Sequence, residues 1–159
     1  MSQANRTGMF WDGIEGRTPV PPAARTLGFE LISADLDART IEVEFRATHE
    51  FTTPFGDVLG GFLAAMLYDT VGPAVLATLG PREFISTLQM STHFLQPARP
   101  GRLIGRGRVI QRSEDICIVE ATLNDGTVDV AGTMATIRVV PGLDADSVPS
   151  LARQGGSNE

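Results

Sequence analysis

The sequence predicts an α+β domain in which about six mostly antiparallel strands curve around one long central helix. Three observations predict it: an apolar mid-chain run rich in helix formers, alternating segments on both sides of it, and an Asn-Asp-Gly turn late in the chain. The mid-chain run, Val58 to about Leu79, contains Phe62, Leu63, Ala64, Ala65, Met66 and Leu67, apolar on every side of a helix. A helix apolar all round is buried all round, so something must wrap it. Gly80-Pro81 supplies the stop signal.

The wrapping comes from strands. Leu27–Ile32 and Thr40–Arg46 read as a hairpin across the turn-like Asp35–Arg39, the second alternating with period two. Thr48–Asp57, with Pro54 and Gly56, reads as a loop. Beyond the helix, Ile85–Gln96 and Arg102–Arg112 are strands joined by Pro97-Ala98-Arg99-Pro100-Gly101. Ile116–Leu123 and Val128–Val140 flank Asn124-Asp125-Gly126-Thr127, where Asn, Asp and Gly tolerate the positive φ of a tight hairpin. Residues 1–25 form a polar, proline-rich extension around the patch Met9-Phe10-Trp11, read as a short helix or anchor with Trp11 as a hydrophobic plug. The domain proper spans 26–141, and 142–159 is expected to be a disordered polar tail.

A chain of 159 residues is long enough for one domain with a real core. Its net charge is −6 and all 13 basic residues are Arg, without a basic stripe, which argues against a nucleic-acid partner. Cys117 is the single cysteine, so no intramolecular disulfide forms; in Ile116-Cys117-Ile118-Val119 it reads as a small packed side chain. No zinc spacing, phosphate loop, Gly-x-Ser-x-Gly elbow or dinucleotide fingerprint is present, so neither a metal nor a cofactor is expected. The longest apolar stretch is broken by Gly60, Gly61, Asp69, Gly72 and Pro73, which argues against a membrane span. The N-terminus lacks the apolar core of a signal peptide, and a cytoplasmic location is expected.

Chemistry concentrates on the helix. Gly60 and Gly61 at its start let another group approach the backbone, and the first N–H groups of a helix have no internal partners. Such an end can hold a carbonyl oxygen as it becomes an oxyanion; equally, the glycines can serve tight helix–sheet packing. Asp69 stands two turns further along an otherwise apolar helix. A buried carboxylate needs a partner or acquires a raised pKa, and such groups cluster at functional sites, although a satisfied structural acid fits the residue type too. Tyr68 points about 100° away from it. Pro73 cannot donate to the Asp69 carbonyl and is expected to kink the helix there. His49 and His93 form no motif, and His93 reads as a locally packed strand residue.

The stretch Thr53-Pro54-Phe55-Gly56-Asp57-Val58-Leu59-Gly60-Gly61, the helix after it, Thr87 and the corner Phe94-Leu95-Gln96-Pro97-Ala98 together resemble the hotdog-fold thioesterases of the phenylacetate-degradation (PaaI-like) type. The resemblance covers roughly residues 26–140. It implies a dimer, or a dimer of dimers, whose sheets join edge to edge. Each site would combine the helix-start amides of one subunit with the helix acid of the other. The substrate would be an acyl-coenzyme A thioester, coenzyme A being part of the substrate and not a cofactor. The Gly61 N–H would hold the thioester oxygen and the acid would act as nucleophile or as base for water. Three positions depart from the family pattern: Thr53 stands for Asn, Leu59 for His, and the ungapped count puts Tyr68 at the acid position with Asp69 one residue late. A phenol is a poor base at neutral pH, though it donates a hydrogen bond. Thr87 would orient water or the acid, or is simply a β-former. Arg99, Arg102 and Arg112 would meet coenzyme A phosphates, or are solvated charges. The expected activity is acyl-CoA thioester hydrolysis, with Asp69, Gly61, Gly60, Thr87 and Tyr68 at the centre and Thr53 and Leu59 lining the site. The rival is a non-hydrolytic acyl-thioester-binding or sensing module on the same fold. A hotdog dehydratase would need a catalytic His where Leu59 stands.

Overall fold

The computed structural model describes residues 6–142, so the expected tail beyond 142 lies outside the described residues. In chain order the elements are α1 (Met9–Ile14), α2 (Pro22–Leu27), β1 (Glu30–Asp35), β2 (Thr40–Ala47), a 3-10 turn (His49–Phe51), α3 (Gly60–Leu76), β3 (Glu83–Phe94), β4 (Gly101–Ser113), β5 (Ile116–Asn124) and β6 (Asp129–Pro141). The six strands form one antiparallel sheet in the order β1-β2-β4-β5-β6-β3, curved around α3. β1 and β3 are therefore the two edges.

Alternation decides which face meets the helix. Ile41, Val43, Phe45 and Ala47 of β2 are buried while their neighbours point outward, and Cys117, Val119, Ala121 and Leu123 of β5 repeat the pattern. The outward face carries ion pairs between adjacent strands, such as Arg106–Glu42 at 2.9 Å and Arg108–Glu120 at 2.7 Å. They are exposed and contribute little to stability.

The helix seats on β4 because two glycines leave room. A Cβ at Gly105 would lie 2.4 Å from Thr70 Oγ1 and 2.9 Å from Val43 Cγ2; one at Gly107 would lie 3.2 Å from the Ala74 Cβ. Thr70 is fully buried, and its hydroxyl donates to the Met66 carbonyl at 2.8 Å. At the other end of α3, the buried Trp11 of α1 donates its indole N–H to the Ala77 carbonyl at 3.0 Å. The plug reading of Trp11 holds, with the indole also closing a helix terminus.

Three expectations need correction. The first strand does not begin at Leu27: Pro22 opens a short helix, and Leu27 ends it before Gly28, whose φ of 67° makes a left-handed cap. The strand starts at Glu30, and the alternation of so short an apolar run did not reveal the helix. The long helix is Gly60–Leu76 and not Val58–Leu79, because Val58 bridges Thr52 and donates its N–H to the Ala98 carbonyl at 2.8 Å. Nor is this helix buried all round. From Thr70 to Val75 every residue is buried, but Gly61 and Tyr68 are exposed and Ala64 and Ala65 only half-buried. Gly61 and Tyr68 are seven residues apart, hence on one face, which the sheet leaves uncovered. The hairpin at Asn124–Thr127 forms as expected, Asp125 Oδ1 accepting the N–H groups of Thr127 and Val128.

Gly105→Ala is expected to destabilise the protein by about 2–3 kcal/mol, because the new methyl meets packed atoms on two sides. Adding Thr70→Ala should recover part of the loss by removing the nearer one. Denaturant melts at fixed protein concentration check both.

Candidate active site

The segment before α3 is a stapled loop. Thr52 and Val58 form an isolated bridge, Thr53 N–H bonds the Asp57 carbonyl at 2.7 Å, Gly56 N–H bonds the Thr53 carbonyl at 2.9 Å, and Leu59 N–H bonds the Phe51 carbonyl at 2.8 Å. Gly56 has φ 84°, a turn conformation that suits glycine. Thr53 thus serves the turn, its hydroxyl accepting the Phe55 N–H at 3.3 Å. Leu59 is the residue before the helix, half-exposed, and its carbonyl receives the Phe62 N–H.

The N–H groups of Gly60 and Gly61 have no backbone partner among the described residues. A Cβ at Gly61 would meet nothing within 4 Å, so its backbone is open to an incoming group. A Cβ at Gly60 would lie 3.2 Å from the Phe94 ring, so Gly60 lets this aromatic side chain lie across the helix start. Phe94, at the end of β3, belongs to the proline corner that carries the family resemblance; the sequence gives the corner but not this contact with the helix start.

Asp69 lies about 80° round the helix from Tyr68–Gly61, on the side of Gly72. A Cβ at Gly72 would be 3.3 Å from Ile85 of β3. With Gly72 at Ile85 and Gly60 at Phe94, β3 runs antiparallel to α3. Asp69 Oδ2 and Thr87 Oγ1 are both buried without a hydrogen-bond partner among the described residues. Burial pushes the Asp69 carboxyl up to about 6 from its ordinary 3.8. Pro73 lies inside the helix and leaves the Asp69 carbonyl without the usual donor four residues on. Just past Thr87, Leu88 is an extra residue in a β-bulge, so that Thr87 and Met90 can both face the helix.

The arginines divide. Arg99 stands beside the loop, its Nε 3.4 Å from Asp57 Oδ1 and its Nη1 3.5 Å from the Phe55 carbonyl. Arg102 turns to the outer face of the sheet and pairs with Glu44. Arg112 sits at the far end of β4, 3.5 Å from Glu83. Within one chain the structure brings Gly60, Gly61, Leu59, Phe94 and Arg99 to one end of the helix; Asp69 lies two turns further along it, and it shares no hydrogen bond with Thr87. It does not bring Arg102 or Arg112 to either group.

Known proteins share this fold. The family described as acyl-CoA thioesterase N-terminal domain matches residues 48–140, well over half of the chain, and the protein belongs to it. It is a member of the hotdog-fold thioesterases of the PaaI-like type. A phenylacetic acid degradation-related protein from Ralstonia eutropha JMP134 superposes with a TM-score of 0.80 at 39% identity, over 81% of this chain and 98% of that one. A thioesterase family protein from Silicibacter pomeroyi (TM-score 0.74, 20% identity, 84% and 100% covered) shares the fold. So does the PaaI protein of the E. coli phenylacetic acid degradation operon (TM-score 0.73, 17% identity, 84% and 94% covered). No curated protein matches the sequence. Among the described residues, no helix is long and apolar enough to cross a membrane.

The state of Asp69 can be tested through stability. An acid whose folded value lies above its unfolded one binds its proton more tightly when folded. Stability therefore falls as pH rises from the ordinary 3.8 to about 6, and the loss is complete above that. Asp69→Asn is expected to stabilise the protein by about 1–3 kcal/mol at pH 8 and to change little below pH 4. Thermal melts across that range check the sign.

Proposed function

We propose that the protein is a cytoplasmic enzyme that hydrolyses an acyl-CoA thioester to the free acid and coenzyme A, at a site shared by two copies of the chain. The observation that carries this reading is the half-buried Asp69, with one carboxylate oxygen buried and unpartnered among the described residues, on the same helix as an open, glycine-flanked N-terminus. The Gly61 N–H, with the helix dipole behind it, donates a hydrogen bond to the thioester oxygen. Asp69 takes a proton from water, Thr87 orienting that water, and the hydroxide adds to the carbonyl carbon. The tetrahedral intermediate expels the coenzyme A thiolate as the C–S bond breaks, and Asp69 returns the proton to sulfur. No metal or other cofactor is needed.

Helix geometry supports the shared site. Gly61 and Asp69 are eight residues apart, about 12 Å along the axis, too far to serve one carbonyl. A two-fold partner places the Asp69 of one copy beside the Gly61 of the other. The surface suits such a partner: β3 is an edge strand of 12 residues with Phe84, Leu88 and Phe94 exposed, next to the open Gly61–Tyr68 face.

The rival, an acyl-thioester-binding protein without turnover, is favoured by Tyr68. It is 51% exposed on the open face, at the position where the family count places the acid. On the hydrolytic reading, Tyr68 lines the site and donates a hydrogen bond.

Thiol release over a panel of acyl-CoA substrates separates the two. Wild type should turn over. Asp69→Asn should lower kcat by about 10²–10⁴-fold, and Tyr68→Phe by less than about ten-fold. The base must be ionised, so activity should fall as pH drops through about 6, and that inflection should disappear in Asp69→Asn. Binding without turnover in wild type would favour the rival. The shared site makes a further demand, that light scattering at micromolar concentration report a dimer or a multiple of one; a monomer that still turns over would sink it.

A further inference from the structure

Pro73 is a residue of α3 that the proposed chemistry leaves unexplained. It is buried and stands inside a helix of 17 residues. A proline there costs the helix a hydrogen bond, and its ring crowds the carbonyl four residues back. That carbonyl belongs to Asp69. No backbone group outside the helix donates to it among the described residues. The adjacent hydroxyl, that of Thr70, is already spent on the Met66 carbonyl at 2.8 Å. Past the proline the ladder resumes, the Ala77 N–H donating to the Pro73 carbonyl at 2.9 Å. The interruption therefore falls on Asp69. Its main-chain oxygen loses the usual donor, and its side-chain Oδ2 is buried without a partner among the described residues.

Two oxygens of one residue lie within a few ångström of each other by covalent geometry alone. A group that satisfies both needs two hydrogens on one small atom. Of the two reactants water has them, and the thioester carbonyl and sulfur have none. We propose that Pro73 is a positioning residue for the hydrolytic water: by withholding an N–H it leaves the Asp69 carbonyl to accept one hydrogen of that water, while the Asp69 carboxylate accepts the other. A water held through both hydrogens turns its lone pairs outward, toward the incoming thioester carbon. As the new O–C bond forms, the carboxylate takes its hydrogen as a proton. The other hydrogen stays on the attacking oxygen, still bonded to the Asp69 carbonyl. The inference rests on the reading that Asp69 is the base for hydrolysis. The buried ring also fills core volume, so its packing and its missing N–H must be tested apart.

Three replacements in the full chain separate them, with thiol release followed on one acyl-CoA that wild type turns over. Pro73→Ala supplies an N–H that closes onto the Asp69 carbonyl. Pro73→Val supplies the same N–H and restores most of the lost volume. Pro73→lactic acid, introduced by nonsense suppression, removes the ring but puts an ester oxygen where the N–H would be. Pro73→Ala and Pro73→Val should each lower kcat about ten-fold with KM within about two-fold of wild type. Their acid limb near pH 6 should persist, because the base is untouched. The lactic acid variant should keep kcat within about three-fold of wild type. Wild-type kcat in Pro73→Ala would overturn the proposal. So would recovery in Pro73→Val, or equal losses in Pro73→Ala and the lactic acid variant, since the ring would then be what matters. A raised KM with unchanged kcat would overturn it too, by making Pro73 a residue of substrate binding. A fully active Pro73→Ala beside an inactive Asp69→Asn would remove this inference alone. A wild type that releases no thiol from any acyl-CoA would remove the hydrolytic reading and this inference with it.

Discussion

The close approach of α3 to β4 is the constraint on which the rest depends. Gly105 and Gly107 have no side chain to hold the helix off, so Thr70 and Ala74 sit almost on the strand backbone. The turns around them are buried on every side. Once those turns are fixed, the helix has one permitted rotation. Tyr68 and Gly61 then face away from the sheet, and Asp69 is turned partly inward. The chemistry of the site follows from packing two turns away from it.

That rotation also explains why one residue of offset matters so much. Tyr68 and Asp69 are neighbours in sequence, yet about 80–100° of helix separates an open face from one against the edge strand. A carboxylate at Tyr68 would be solvated in the single chain. At Asp69 it is partly desolvated, and that burial raises it to about 6. The protein keeps an acid on this helix, but in surroundings that alter when it is charged.

Much of this was legible in the sequence, and the remainder has physical reasons for being hidden. The alternating strands, the Asn-Asp-Gly hairpin and the apolar helix were readable because each follows a local periodicity. The start of β1 was not: Ala24 and Leu27 are apolar at helical spacing in an element of only six residues, too short for a period to show. The bulge at Leu88 was hidden for a similar reason, since it breaks alternation at a single step. Gly60, Gly61 and Asp69 could be picked out by residue type against their apolar setting. Phe94 and Asp57 stand inside the motifs that carry the resemblance, but their contacts across the chain, Phe94 with Gly60 and Asp57 with Arg99, have no local signal. The arginines were ambiguous for the opposite reason. Charge is visible in a sequence, but whether it is already neutralised, as Arg102 is by Glu44 on a neighbouring strand, is not.

The strand order carries a consequence for how the chain is made. β2 hydrogen-bonds to β4 and not to the next strand in sequence, and β3 crosses to the far edge to pair with β6. On a ribosome, the β1–β2 hairpin and the apolar helix are synthesised before any strand that can receive them. Trp11 must wait for Ala77, Phe45 for Leu103, and Thr87 for Ile137. Such long-range pairings slow folding. From the completion of α3 at Leu76 until β6 is made at Pro141, the nascent chain carries its most apolar segment without the whole sheet that will enclose it, the state in which an exposed apolar surface is most prone to aggregate.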